Sequence, residues 1–252
     1  LDLPRWLFPS LILSLRIAPT FAFAPPFTLV PVPALFRVLL AVGLTASLAA
    51  VDPPAAMIGA AGLPDLASVA LRELMIGLVF VLVLQATFAA LYTAGRTVDI
   101  QAGYGLALLI DPSSRNQTPL LGSLFVYCAG AVFFAMNGPG ELLGILAASL
   151  RSIPIGAAWT PSALTRLAEF MSAIFALGFG AVGSMILCLF LTDMAIAMMS
   201  RTIPQMNVLV LGLQAKTLIT LAVLPAVLGG SGALLARMMR LALQTIPRLL
   251  SA

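Results

Sequence analysis

The chain contains no histidine at all. That removes the commonest general base and an imidazole metal ligand, and with them any histidine-based triad or zinc-protease helix. Charge is scarce as well, at 9% of residues, and the 13 basic and 9 acidic side chains leave a net +4, too sparse and scattered for a nucleic-acid surface. So small an excess suits anionic lipid headgroups instead. The two cysteines, Cys128 and Cys188, stand in apolar runs with no partner at metal or redox spacing and read as small hydrophobes, though sequence leaves a disulfide between them open. No phosphate-cradling GxxxxGK[ST] motif occurs, and GGSG at Gly229 to Gly232 reads as a flexible break. A serine paired with Lys216 has no motif around it. No enzyme, no cofactor and no metal site is expected. The opening LDLPRWLFPSL lacks the basic n-region and cleavage site of a signal peptide, and the missing initiator Met reads as slight trimming.

What the chain has in abundance is apolar residues: 61% of its 252, with a mean hydropathy of +1.11. Such values lie outside the range of soluble domains and define an integral membrane protein. Charge-free windows of spanning length cover 74–95, 116–140, 170–192 and 217–236. Two further segments, 3–24 and 34–51, are defective as spans, one by Arg16 and Pro19, the other by its shortness. Between them Pro25, Pro26, Pro31 and Pro33 argue against regular helix and for an extended run. With six apolar segments, Arg5, Arg151, Arg166, Arg237, Arg240 and Arg248 fall on one side and Arg37, Arg96, Arg115 and Arg201 on the other, which favours cytoplasmic termini.

Several charges interrupt these segments. Arg16, Arg72, Glu73, Asp193 and Lys216 would each cost about 2.5–3.5 kcal/mol if unpaired at a helix centre, so each needs a partner or water. Arg72 and Glu73 are adjacent and point about 100° apart, so they need partners on other helices. Asp193 and Lys216 flank the run RTIPQMNVLVLG at 201–212 and are positioned to meet across a helical hairpin. In that run Pro204 breaks the helix after Arg201, while Gln205 and Asn207 bring side-chain donors and acceptors to the turn. Residues 96–119 read as a loop, loosened by Gly103 and Gly105, turned at Asp111 and Pro112, and polar through Ser113, Ser114, Arg115, Asn116 and Gln117. It is either a solvent loop or one that lines a pore. The apolar patch Leu106 to Ile110, including Leu109, is able to pack into a cavity. Residues 137–161 form a connector with room for one short amphipathic helix, 141–151. After Leu234, Arg237, Arg240, Gln244 and Arg248 recur at helical spacing as the polar face of a surface helix.

Taken in order, these pieces resemble the FliR/SctT/SpaR family of flagellar and type III secretion export-gate proteins. The resemblance rests on RIAPTFAFAPPFTLVPVPALFR with Arg16, Pro19, Pro33 and Arg37; on LRELMIG with Glu73 and Gly77; on AGRTVDIQAGYGLALLIDPSSRNQTPLLG with Asp99, Gly103, Asp111, Pro112 and Pro119; and on MNG, PIG and PQMNV. PQMNV and QTP favour the flagellar branch. Pro139 and Gln214 depart from the family pattern, the first at the start of the connector helix, the second in the last apolar segment.

The resemblance implies an all-α membrane-associated fold. It would comprise a FliP-type portion, 1–165, fused to a FliQ-type helical hairpin, 166–252, with an amphipathic C-terminal helix. It implies a channel-forming subunit that completes a helical ring with FliP-type and FliQ-type subunits, docked by FlhB-type and FlhA-type components. The ring would sit in the bacterial inner membrane within the flagellar basal body, much of it above the bilayer plane, and pass unfolded export substrates. Residues 106–119 would correspond to the family's gating plug. Arg16, Glu73, Asp99, Asp193, Arg201, Pro204, Gln205, Asn207 and Lys216 would serve as interhelix and assembly ties. The rival reading is a secondary transporter with a midplane site at Glu73, Asp193 and Lys216, which should show repeated halves.

Overall fold

The computed structural model describes residues 7–29, 33–51, 63–104, 118–155, 164–202 and 207–250. Among them every regular element is a helix: α1 (Leu7–Phe23), α2 (Pro25–Thr28), α3 (Ala34–Val51), α4 (Leu63–Gln101), α5 (Leu120–Ala135), α6 (Gly138–Ser152), α7 (Leu164–Thr202) and α8 (Val208–Leu250). The chain divides into two compact units. One comprises Leu1–Ala86, Phe133–Met171 and Arg240–Ala252, the other Thr87–Val132 and Ser172–Met239.

Several sequence expectations change. The proline-rich run is not wholly extended, because Pro25 and Pro26 open α2 at first-turn positions where the missing N–H forfeits no bond. The loop expected from residue 96 begins later: α4 runs on through Gln101, and Gly103, at φ 86°, follows its end. The segment 116–140 does not form one straight span. It breaks after Ala135 into α5 and α6, bent by 68°, at Asn137, which holds a left-handed φ of 58°. Pro139 lies in the first turn of α6, where proline is tolerated. The GGSG stretch breaks nothing, and α8 is one helix of 43 residues in which the expected separate C-terminal helix is simply its end. Both cysteines are free and half-buried.

Among the described residues three helices are long and apolar enough to cross a membrane, Leu66–Gln101, Thr165–Thr202 and Val210–Leu250, and the bent pair α5 and α6 makes a fourth if counted as one span. Two of the six expected segments, those of α1 and α3, enter among the described residues as shorter apolar helices, Ser10–Phe23 and Leu35–Leu48. At 1.5 Å per residue the 39 residues of α7 reach about 58 Å, nearly twice a hydrocarbon core of about 30 Å. Of the most apolar stretch of α4, 61% is buried within the protein, against 22% for α8, so α8 leaves most of its apolar surface to lipid or other proteins. Exposed Phe190, Leu191, Met194 and Met198 do the same on α7.

In the first unit α1 packs on α3 through buried residues such as Ala41 and Thr45. Aromatic rings close the corner: Phe27 meets Phe21 at 4.7 Å and Phe133, edge to face, at 6.3 Å. α4 approaches α1 at Gly77, where an added Cβ would lie 2.6 Å from the Arg16 carbonyl oxygen. In the second unit α4 crosses the start of α5 glycine on glycine, since a Cβ on Gly95 would sit 2.6 Å from the Gly122 Cα. Small residues are what let helix backbones come this close.

These contacts predict that Gly95→Leu lowers stability by about 1–3 kcal/mol through overpacking. Gly180→Leu, at a position with nothing within 4 Å, should leave stability unchanged. Thermal unfolding in detergent followed by circular dichroism tests the contrast, and equal melting temperatures would refute it.

Candidate functional site

Arg16 lies on α1 with none of its surface exposed, in the company of Leu13 and Ile17. A guanidinium has five N–H donors, and here each has an acceptor. Nε donates to Glu73 Oε2 at 2.6 Å and Nη2 to Glu73 Oε1 at 3.0 Å, a two-pronged pair. Nη1 donates to the Ser149 carbonyl at 3.0 Å and to its Oγ at 3.4 Å, and Nη2 also reaches the Ile153 carbonyl at 3.0 Å. Ser149 is in the last turn of α6 and Ile153 is its C-cap, so the cation sits against the negative end of that helix and takes up its carbonyls. Glu73, 1% exposed, is presented by the turn that also carries Gly77. The glycine admits α1, and the carboxylate then binds it.

A second carboxylate uses a glycine four residues away in the same manner. Asp99, 5% exposed, lies one turn beyond Gly95 and accepts from the backbone N–H groups of Leu121, at 3.0 Å, and Gly122, at 3.2 Å. It thereby caps the free donors at the start of α5 from a neighbouring helix. Lys216 forms the third tie. Its Nζ lies 2.6 Å from Asp193 Oδ1 and donates to the Gln101 carbonyl at 3.1 Å, at the C-terminal end of α4. The Gln101 amide nitrogen donates in turn to the Ile186 carbonyl of α7 at 3.3 Å.

Of the other sequence candidates, Arg201 is exposed in the last turn of α7. Asn207 precedes α8, its Oδ1 accepting from the Val210 N–H at 3.4 Å as an N-cap. Pro204 and Gln205 lie outside the described residues, and so do Leu106, Leu109, Ile110, Asp111, Pro112, Ser113, Ser114, Arg115, Asn116 and Gln117. The three residues of the transporter reading do not share one cluster: Glu73 has both oxygens on Arg16, and Asp193 pairs with Lys216. Among the described residues no group of histidine, cysteine or acidic side chains is arranged to hold a metal.

Sequence reasoning missed Ser149, Ile153, Gln101 and Ile186. Ile153 and Ile186 contribute main-chain carbonyls alone, Ser149 a carbonyl with its hydroxyl, and Gln101 a carbonyl with its side-chain amide. A serine one turn before the Ile-Pro at 153–154 and a carboxamide at 101 were the available signals.

Taken together, this is an all-helical membrane protein whose buried charges hold helices to helices and helix ends to side chains. Residues 7–242 match the family described as bacterial export proteins, family 1. The chain is 30% identical over 226 residues to the flagellar biosynthetic protein FliR of Bacillus subtilis, covering 86% of this chain and 85% of that one. It is 29% identical over 152 residues to the Yop proteins translocation protein T of Yersinia pestis, 59% of this chain and 58% of that one. With the surface presentation of antigens protein SpaR of Shigella flexneri it shares 24% over 215 residues, 83% and 80% of the two chains. The chain belongs to this bacterial export family, the one that holds FliR and SpaR.

Removing one partner of a buried ion pair costs about 3–5 kcal/mol, because the other charge is left unpaired. Arg16→Met should therefore lower stability by that order, and Arg16→Met combined with Glu73→Met should recover most of the loss. Unfolding titrations in mixed micelles measure both. A double variant no more stable than the single one would contradict the pairing energetics.

Proposed function

We propose that this chain is a channel-forming subunit of a flagellar protein export gate in the bacterial inner membrane, through which unfolded export substrates pass. The observation that carries the reading is the extent of the likeness: a bacterial export family along residues 7–242, and a flagellar relative matched over most of both chains. The long α7 and α8 support it, since helices about twice as long as a hydrocarbon core is thick, with open apolar faces, fit a protein buried in an assembly. In this reading 1–165 is the FliP-type portion and 166–252 the FliQ-type hairpin. The partners are FliP-type and FliQ-type subunits with FlhB-type and FlhA-type components, and much of the ring stands above the bilayer.

Residues 106–119 serve as the gating plug. Support comes from the two ends of this stretch. The end of α4 is held by Lys216 on the Gln101 carbonyl, and the start of α5 is held by Asp99, so the intervening segment leaves and rejoins the protein at fixed points. Arg16, Glu73, Asp193 and Asn207 keep the helices in register for assembly.

Deleting the gene should abolish secretion of flagellar filament protein into the medium, and a plasmid copy should restore it; normal secretion without the gene would overturn the reading. Deleting residues 113–117 should leave assembly intact and make the closed complex leak ions. Planar-bilayer conductance reads the effect, and an unaltered baseline would remove the plug assignment while leaving the export role standing.

A further inference from the structure

Arg37, in the first unit, is far less well met than Arg16. Its Nη1 donates to the Ala22 carbonyl at 2.9 Å, at the end of α1, and that is its one protein partner among the described residues. Nε is screened from water and has no acceptor. At Arg16 the edge formed by Nε and Nη2 holds the Glu73 carboxylate; at Arg37 the same edge holds nothing, and no acidic side chain pairs with it among the described residues. A guanidinium donor hidden from water with no acceptor is costly, so this half-buried cation calls for an anion. The surface around it is apolar. Leu35, Phe36, Val38, Leu39, Leu40 and Val42 are exposed, as is Phe23 at the end of α1, while Ala41 and Thr45 mark the buried strip of α3. Residues 36, 40, 43 and 47 are spaced by four, three and four and so follow one line along the helix. On that line an added Cβ at Gly43 would meet nothing within 4 Å, and the Ser47 hydroxyl already donates to the Leu44 carbonyl at 2.8 Å. At 18 residues α3 is about 27 Å long, close to a hydrocarbon core of about 30 Å.

We propose that the missing acceptor is the phosphate of an anionic phospholipid, of the phosphatidylglycerol class, with an acyl chain lying along the line from Phe36 to Ser47. The phosphate enters through Nη2 and reaches Nε as the side chain swings outward on its flexible stem, two oxygens fitting the fork. One negative charge then balances one positive charge. A zwitterionic headgroup brings an ammonium as well, and Arg37 has no carboxylate beside it to receive that group. The surroundings favour lipid over a protein partner. A protein interface has a polar rim and about one hydrogen bond per 100–200 Å², whereas the exposed side chains from Leu35 to Val42 are all apolar. An acyl chain needs no polar group. Because the same guanidinium holds the Ala22 carbonyl, the lipid is tied to the joint between α1 and α3. The inference rests on the membrane character of the chain and does not depend on the export reading.

The test is lipid retention by the full-length protein, purified in detergent and read by native mass spectrometry. Palmitoyl-oleoyl phosphatidylglycerol and phosphatidylcholine are titrated separately. Phosphatidylglycerol should be retained about tenfold better, the order expected for one charge-assisted hydrogen-bond pair. Arg37→Gln keeps a donor for the Ala22 carbonyl but removes the charge, so it should erase the preference. Leu40→Glu leaves Arg37 in place and offers it a carboxylate one turn along α3. It should erase the preference too, with the melting temperature equal or higher, which keeps the test decisive if Arg37→Gln folds poorly. Equal retention of the two lipids by the unaltered protein, or an unchanged preference in Leu40→Glu, would overturn the proposal. So would loss of the preference on adding millimolar inorganic phosphate, the mark of a bare anion site. Loss of another protein from the native complex in Arg37→Gln, with the lipid preference intact, would also overturn it and make the acceptor a partner's carboxylate.

Discussion

A guanidinium buried among leucines and isoleucines is tolerable only when every one of its donors is met. At Arg16 two acceptors come from a carboxylate and three from the end of a helix. Because these groups belong to α4 and α6, a single side chain on α1 fixes the mutual placement of three elements. In an apolar medium there is little hydrophobic drive between helices, so directional polar contacts and close backbone approach are what specify packing. Gly77 supplies the approach, Glu73 supplies the bond, and neither is effective without the other.

The second unit repeats the principle with different groups. Gly95 brings α4 onto Gly122, and Asp99 caps the helix that begins there. Lys216 meets the Gln101 carbonyl at the end of α4 while Asp193 balances its charge. Nearly every buried charge described is thus engaged with a helix terminus or with a partner that is. Such an arrangement spends the charges on holding helices in place, in a chain that belongs to a bacterial export family.

Much of this was legible in the residues. The membrane class follows from composition, and the need of Glu73 and Arg16 for interhelix partners follows from charges interrupting apolar runs. Asp193 and Lys216 were paired by their positions astride one joint. What escaped was backbone. The carbonyls of Ser149, Ile153 and Gln101 bear no sequence signature, because every residue has one. Glycine misled in the opposite direction: GGSG looked like a break, yet α8 runs straight through it, its flanking Leu228 and Leu234 continuing the helical pattern. At Pro25 and Pro26, proline was read as incompatible with helix when it is incompatible only with a helix interior.

The separation of Arg16 from its partners along the chain governs how the protein can be made. Glu73 follows by 57 residues and Ile153 by 137. At a synthesis rate of about 5–20 residues per second the last acceptor is translated roughly 7–27 seconds after the arginine. Throughout that interval the nascent α1 carries a cation whose final ligands are not all made, and settling in a lipid interior costs it about 2.5–3.5 kcal/mol. That cost favours waiting at the headgroup level, in water or against another protein, until α4 and then α6 have been delivered. A helix synthesised ahead of its partners is therefore among the last to find its place.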